Sequence, residues 1–230
     1  MALAKRKLRI HISAGHTLEG KGTGSEGYIN ESKENRILAK KVVAILKTQG
    51  HYVTYGEVDK SASYLKEQVT LANKEDYDVV VQIHFNAFKD TSKEMGTEVW
   101  YCSDRGIKYA KNVCDELKTL YYDRGVKKQP NFYWLKNTKS PAILIETCFV
   151  DSKADTDKYK ANIDKTATLI AQGIMGEKIK VETPKPKPPV NNTKHPKYVV
   201  IAGTYHERDY ANNQINKLRK LGIDCYIDVK

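Results

Sequence analysis

This chain has no apolar run long enough to cross a bilayer, which takes about 20 residues, so no membrane span is expected. No secretory leader is expected either. MALAKRKLRIHIS is basic and leads straight into a strand-like segment, without an apolar core or a small-residue cleavage site. The expectation is a protein made and folded in the cytoplasm. Cysteine is scarce: Cys102, Cys114, Cys148 and Cys225 form no CxxC pair, which argues against a structural zinc knuckle. Without a leader, disulfides are not expected. Cys114 and Cys148 read as small core residues; Cys148 as a nucleophile near His84 has no other support. The glycine-rich loop AGHTLEGKGTGSEGYINES matches neither GxxxxGKS nor GxGxxG, so a phosphate-binding loop is not indicated.

Acidic residues are outnumbered by basic ones, 28 against 39, and the net charge is +11. Such a chain attracts polyanions: nucleic acid, the teichoic acids of a bacterial wall, or anionic headgroups. LKTLYYDRGVKKQPNFYW mixes basic and aromatic residues as a base-stacking surface would. The same run reads as an exposed loop leading to a buried strand, and no nucleic-acid partner is expected.

Strand and helix patterns alternate along the chain. KLRIHIS, HYVTYGEV, YDVVVQIHF, GTEVWYC and PAILIETCFV read as strands. The third is nearly all apolar, as a strand buried on both faces should be. ENRILAKKVVAILKTQG reads as a helix with Ile37, Leu38, Val42, Ile45 and Leu46 inward. SASYLKEQVTLANK reads as another, capped by Ser61 or Ser63, with Leu65, Val69 and Ala72 inward. IKYAKNVCDELKTLYY and DKTATLIAQGIMGEKI supply two more. The fold class predicted is α/β: a mostly parallel twisted sheet with helices on both faces. VETPKPKPPVNNTKHPK then reads as an extended linker. The organisation expected is a catalytic domain over 1–180, a linker over 181–197 and a strand–helix–strand module over 198–230. That module is below the ~40 residues at which unaided folding becomes improbable, so it should pair with something, the first domain or its own copy.

The chemistry gathers at strand ends, where α/β folds bind ligands. His16 follows LRIHISAG, His84 ends VVVQI, and Glu146 ends PAILIE. A catalytic zinc needs three protein ligands and an open fourth position. His16, Glu31 and His84 are the candidate ligands, and Glu146 is the candidate general base and acid. Spacing alone does not choose Glu31 over Glu19, Glu26 or Glu34. An ionised carboxylate at a core strand end is costly unless paired or near a metal, which favours a functional reading of Glu146. His11, on the other side of its strand, reads as a core histidine. His51 reads as exposed, and His195 and His206 fall outside the catalytic region.

In order, SAGHTLEGKGTGSEGYINE, VQIHFNAF, GTEVWY, RGVK and PAILIETCFVDSKAD resemble the landmarks of the zinc-dependent N-acetylmuramoyl-L-alanine amidases of the amidase-3 type, over about residues 7–176. The resemblance implies that His16, Glu31 and His84 hold Zn2+. Glu31 is singled out as the glutamate opening the first long helix, eight residues before Ala39. It implies Glu146 as the catalytic residue, and bacterial peptidoglycan as partner. Asn86 is a candidate for orienting substrate, and Lys136 for holding a peptide carboxylate. Gln68 stands where the family usually has arginine, Cys148-Phe149 where it often has Gly-Phe, and Asp151 where asparagine is common. The tail VVIAGTYHERDYANNQINKLRKLGI resembles one repeat of a SPOR-like wall-binding module that normally has two, which implies a homodimer completing it. The expected function is bacterial lysis as a phage endolysin or autolysin, reached after lysis or through a holin. The rivals are a zinc peptidoglycan carboxypeptidase and a non-catalytic basic wall-binding protein.

Overall fold

In a computed structural model the described residues are 6–179 and the helix Arg208–Lys220. The chain divides into two compact units, 1–181 and 182–230. In the first, six strands form one sheet: β1 (Arg9–Ala14), β2 (Tyr52–Gly56), β3 (Val79–Asn86), β4 (Thr97–Tyr101), β5 (Asp123–Lys128) and β6 (Ala142–Phe149). Their order is β2-β1-β3-β6-β4-β5. All neighbouring pairs are parallel except β4 with β6.

The helices are α1 (Glu31–Thr48), α2 (Tyr64–Ala72), α3 (Asp104–Leu117), α4 (Tyr133–Asn137), α5 (Lys153–Ala161) and α6 (Ile163–Met175). Alternation along β3 separates two cores. Val79, Val81 and Ile83 pack with Leu38, Val42, Ala110, Val113 and Ile170 of α1, α3 and α6. Val80 packs on the other face with Val69, Ala72, Trp134 and Leu135 of α2 and α4. The second core is smaller. Beyond it, at the carboxyl end of β3 and β6, the same face carries His84 and Glu146.

α1 begins three residues earlier than its apolar pattern suggests, because Asn30 caps it: its side-chain oxygen accepts from the Lys33 amide at 3.1 Å. α3 and α6 approach so closely that a Cβ on Gly173 would lie 2.4 Å from Val113 Cα. α6 ends at Gly176, in the left-handed conformation.

Several local readings are corrected. Ile37 and Leu65 are exposed rather than inward; polar Asn35, Arg36 and Gln68 take buried positions on their helices. His51 is half-buried, its Nδ1 accepting from the Leu8 amide at 3.1 Å. DRGVKK, read as part of an exposed loop, is an edge strand, and Tyr133–Asn137 and Lys153–Ala161 form two helices that the sequence pattern left unassigned. In the tail, Arg208–Lys220 forms the expected helix, α7. The two strands expected to flank it lie outside the described residues.

Candidate metal centre

The first donor sits on a turn. β1 ends at Ala14, and His16 follows with φ +59°. A left-handed backbone at a residue other than glycine costs about 1–3 kcal/mol and lasts only where its surroundings enforce it. His16 Nδ1 donates to the Gly22 carbonyl at 3.0 Å, which leaves Nε2 free to coordinate. Glu31 opens α1 and is buried. Its Oε2 accepts from the Ser25 amide at 2.9 Å, and Oε1 from the Phe85 amide at 3.2 Å. The third donor, His84, lies in β3 with its ring against Gly15, where a Cβ would fall 2.2 Å from Nε2. That packing turns Nδ1 toward Glu31.

The three meet. His16 Nε2 is 3.2 Å and His84 Nδ1 2.9 Å from Glu31 Oε1, and all three donor atoms lie within 4.8 Å of one another. Burial pulls the His16 pKa down, but the Glu31 hydrogen bond and charge, with the Gly22 carbonyl, carry it above the ordinary imidazole value. His84 is more deeply placed, and there burial wins and pulls it below. Burial opposes ionisation of Glu31, yet the two imidazoles hold its carboxyl well below the usual range. A carboxylate kept ionised and an imidazole oriented by its other nitrogen are what a metal centre requires. Two nitrogens and one carboxylate oxygen could hold a metal ion.

Glu146 lies on β6 directly opposite His84 on β3 and opposite Glu98 on β4. Its Oε2 is sealed from solvent with no hydrogen-bond partner. Burial, then the charges of Glu31 and Glu98, push its pKa well above the ordinary carboxyl value. Glu98 has the opposite environment. It is buried, but Arg124 Nε at 2.7 Å, Lys127 Nζ at 2.5 Å and Asn86 Nδ2 at 2.9 Å bind it. Burial works against the charge, and the two cations override it to lower the pKa.

The rival acids are elsewhere employed. Glu19 pairs with Lys60 at 3.1 Å, Glu34 accepts from Tyr159 at 3.0 Å, and Glu26 is exposed. Asn86 is spent on Glu98 and on the Ala87 amide. Lys136 is exposed on α4. Cys148 is fully buried in the core, and burial drives its thiol pKa upward, the setting of a packing residue. The residues unforeseen in the sequence are Glu98, Arg124 and Lys127. One signal was present: a glutamate inside the apolar strand TEVWY must find cations or pay for burial.

A mostly parallel α/β sheet with a His–Glu–His cluster able to hold a metal and a buried carboxyl at its strand ends has the form of an enzyme's catalytic domain. The chain belongs to the amidase-3 family of N-acetylmuramoyl-L-alanine amidases, which it matches over residues 10–176. It is 35% identical over 176 residues to an uncharacterised 38.4 kDa protein of Clostridium perfringens, covering 73% of this chain and 51% of that one. With the amidase LytC of Bacillus subtilis it shares 29% identity over 71% of this chain and 34% of the relative. It spans about half the length of the first of these relatives and less of the second. Among solved structures it resembles the catalytic domain of CD27L, an endolysin targeting Clostridia difficile (TM-score 0.69, 31% identity, 75% of this chain and 99% of that one). It also resembles the amidase AmiC2 of Nostoc punctiforme (TM-score 0.66, 27% identity, 75% and 98%).

Proposed function

We propose that this chain is a zinc-dependent amidase that cleaves the bond between N-acetylmuramic acid and L-alanine in peptidoglycan. One observation carries the reading. The unpartnered carboxyl of Glu146 lies in the same cross-strand row as His84, beside a His–Glu–His cluster that fits zinc. Zinc held by His16, Glu31 and His84 would supply Lewis acidity toward a carbonyl and toward water, and its charge would draw Glu146 toward the ionised form. Glu146 takes a proton from the attacking water and delivers it to the leaving nitrogen; a carboxyl with a raised pKa is suited to holding that proton in between. Glu98, tied to two cations, keeps its own charge and fixes the row beside it. The family and its amidase relatives support the substrate.

The test is product analysis of digested sacculi. New amino termini on alanine, without new reducing sugars, are expected. Free amino acids released from stem peptides would replace this reading with a carboxypeptidase. Glu146→Gln should lower turnover by about 100-fold or more while zinc stays bound. A fully active variant would remove Glu146 from its role. Similarity to an endolysin's catalytic domain supports a lytic role after release from the cytoplasm. The tail as a SPOR-like wall-binding and dimerising repeat, and teichoic acids as partners of the basic chain, belong to the same proposal, supported by helix α7 and the net charge of +11.

A further inference from the structure

One guanidinium bonds the backbone of the candidate metal donor His16 and that of Ser32, the residue after the donor Glu31. Arg36, on α1, is 5% exposed. Its Nη2 donates to the His16 carbonyl at 3.2 Å and to Val58 at 3.1 Å. Its Nη1 donates to the Ser32 carbonyl at 2.8 Å, next to Glu31, and reaches Gly15 at 3.5 Å. Its Nε is anchored by Asp59 Oδ1 at 2.9 Å. Asn35 and Gln68 complete the grip. Asn35 Nδ2 donates to the Gly15 carbonyl at 3.2 Å, and Gln68 Nε2 to those of Ala14 and His16, both at 3.2 Å. Three successive carbonyls leading into His16 are thus held by side chains from α1 and α2. Among the described residues, His16 is the one non-glycine with positive φ.

A guanidinium presents its donors in a fixed planar fork, so several acceptors bound to it are fixed relative to one another. Here those acceptors belong to the turn carrying His16 and to the first turn of the helix carrying Glu31. We propose that Arg36, with Gln68 and Asp59 as its supports, is a positioning residue for the metal centre: it sets the His16–Glu31 spacing before metal arrives. Resting on the metal reading above, this also accounts for Gln68. The arginine expected at 68 is absent, and a guanidinium reaches the same His16 carbonyl from α1 instead.

The test is zinc affinity of the folded, metal-free protein, measured by competition with a chromogenic chelator, together with its thermal midpoint. Arg36→Met should weaken zinc binding by about 10- to 100-fold, the range for losing an outer support of a metal site. Arg36→Lys should recover only part, since an ammonium has fewer donors and lacks the planar fork that fixes its acceptors relative to one another. Asp59→Ala truncates an anchor whose own side chain is 57% exposed, so the variant should fold, and it should weaken zinc several-fold. The absorption spectrum of the Co2+-loaded protein should shift in Arg36→Lys. If Arg36→Lys and Asp59→Ala keep wild-type zinc affinity and an unchanged Co2+ spectrum, whatever their stability, Arg36 supports the fold alone and the inference is overturned. If the wild-type chain binds no zinc, the metal reading itself falls instead.

Discussion

His11 is one group through which acid should act on the domain. It is buried against Tyr77 and Trp134, with Nδ1 on Thr54 Oγ1 at 2.8 Å and Nε2 without a partner. Burial, and secondarily the charge of Lys74, lowers its pKa to about 4. The unfolded chain therefore binds the proton first. The stability that the neutral ring contributes is complete above about pH 6.5 and is lost as pH falls from there to about 4. By pH 4.5 the loss should be about 2–3 kcal/mol. Urea unfolding of metal-free His11→Asn at pH 7 and pH 4.5 should show a correspondingly smaller drop than wild type. Equal drops would assign the acid sensitivity elsewhere. Residue by residue, His16, His84 and Glu146 were legible because each ends an apolar run. Glu31 was not distinguishable by spacing from Glu19, Glu26 and Glu34. What separates them is burial and the amides of Ser25 and Phe85 around it, which only the folded loop supplies.

Elements were legible in proportion to how much apolar surface they bury. β3 and β6, nearly continuous in Val, Ile and Leu, stand out at once. β5 does not: DRGVKK is an edge strand whose charged side chains face solvent and Glu98, and it exists because β4 pairs with it. α5 is too polar, and α4 too short, to show a periodic apolar face. The faces of α1 and α2 were misjudged at Ile37 and Leu65 because Asn35, Arg36 and Gln68 point inward to hold carbonyls, which a hydrophobic pattern counts as surface. Helix contact also yields a prediction. Gly173→Ala puts a methyl into Val113 Cα at the α3–α6 crossing. It should cost about 1–3 kcal/mol through overpacking, despite alanine's better helix propensity. A denaturant midpoint at or above wild type would show that the two helices slide apart freely.

At the scale of the whole chain, the first unit carries the candidate metal cluster, its outer supports and both apolar cores, so a chain ending at Thr183 should fold and bind zinc as the full chain does. The tail tests a separate idea. If its single repeat completes itself with a copy, sedimentation of the full chain should give twice the mass of a monomer, and the shortened chain should be monomeric. Equal, monomeric masses would refute pairing. The division between the two units falls where the composition changes, at the start of the proline- and lysine-rich stretch VETPKPKPPVNNTKHPK.

The one strand that runs against its β6 neighbour has a further consequence. Because β4 is antiparallel to β6, its beginning, not its end, arrives where β3 and β6 finish. The connection from Ala87 to Gly96 is therefore pinned at both ends by the candidate site: it leaves the strand of His84 and enters the strand of Glu98. Lengthening or shortening it would tug on the candidate metal cluster and on the Glu146–Glu98 row together. Divergence among relatives should accordingly be tolerated least in the length of this segment and more freely in the side chains along its crest.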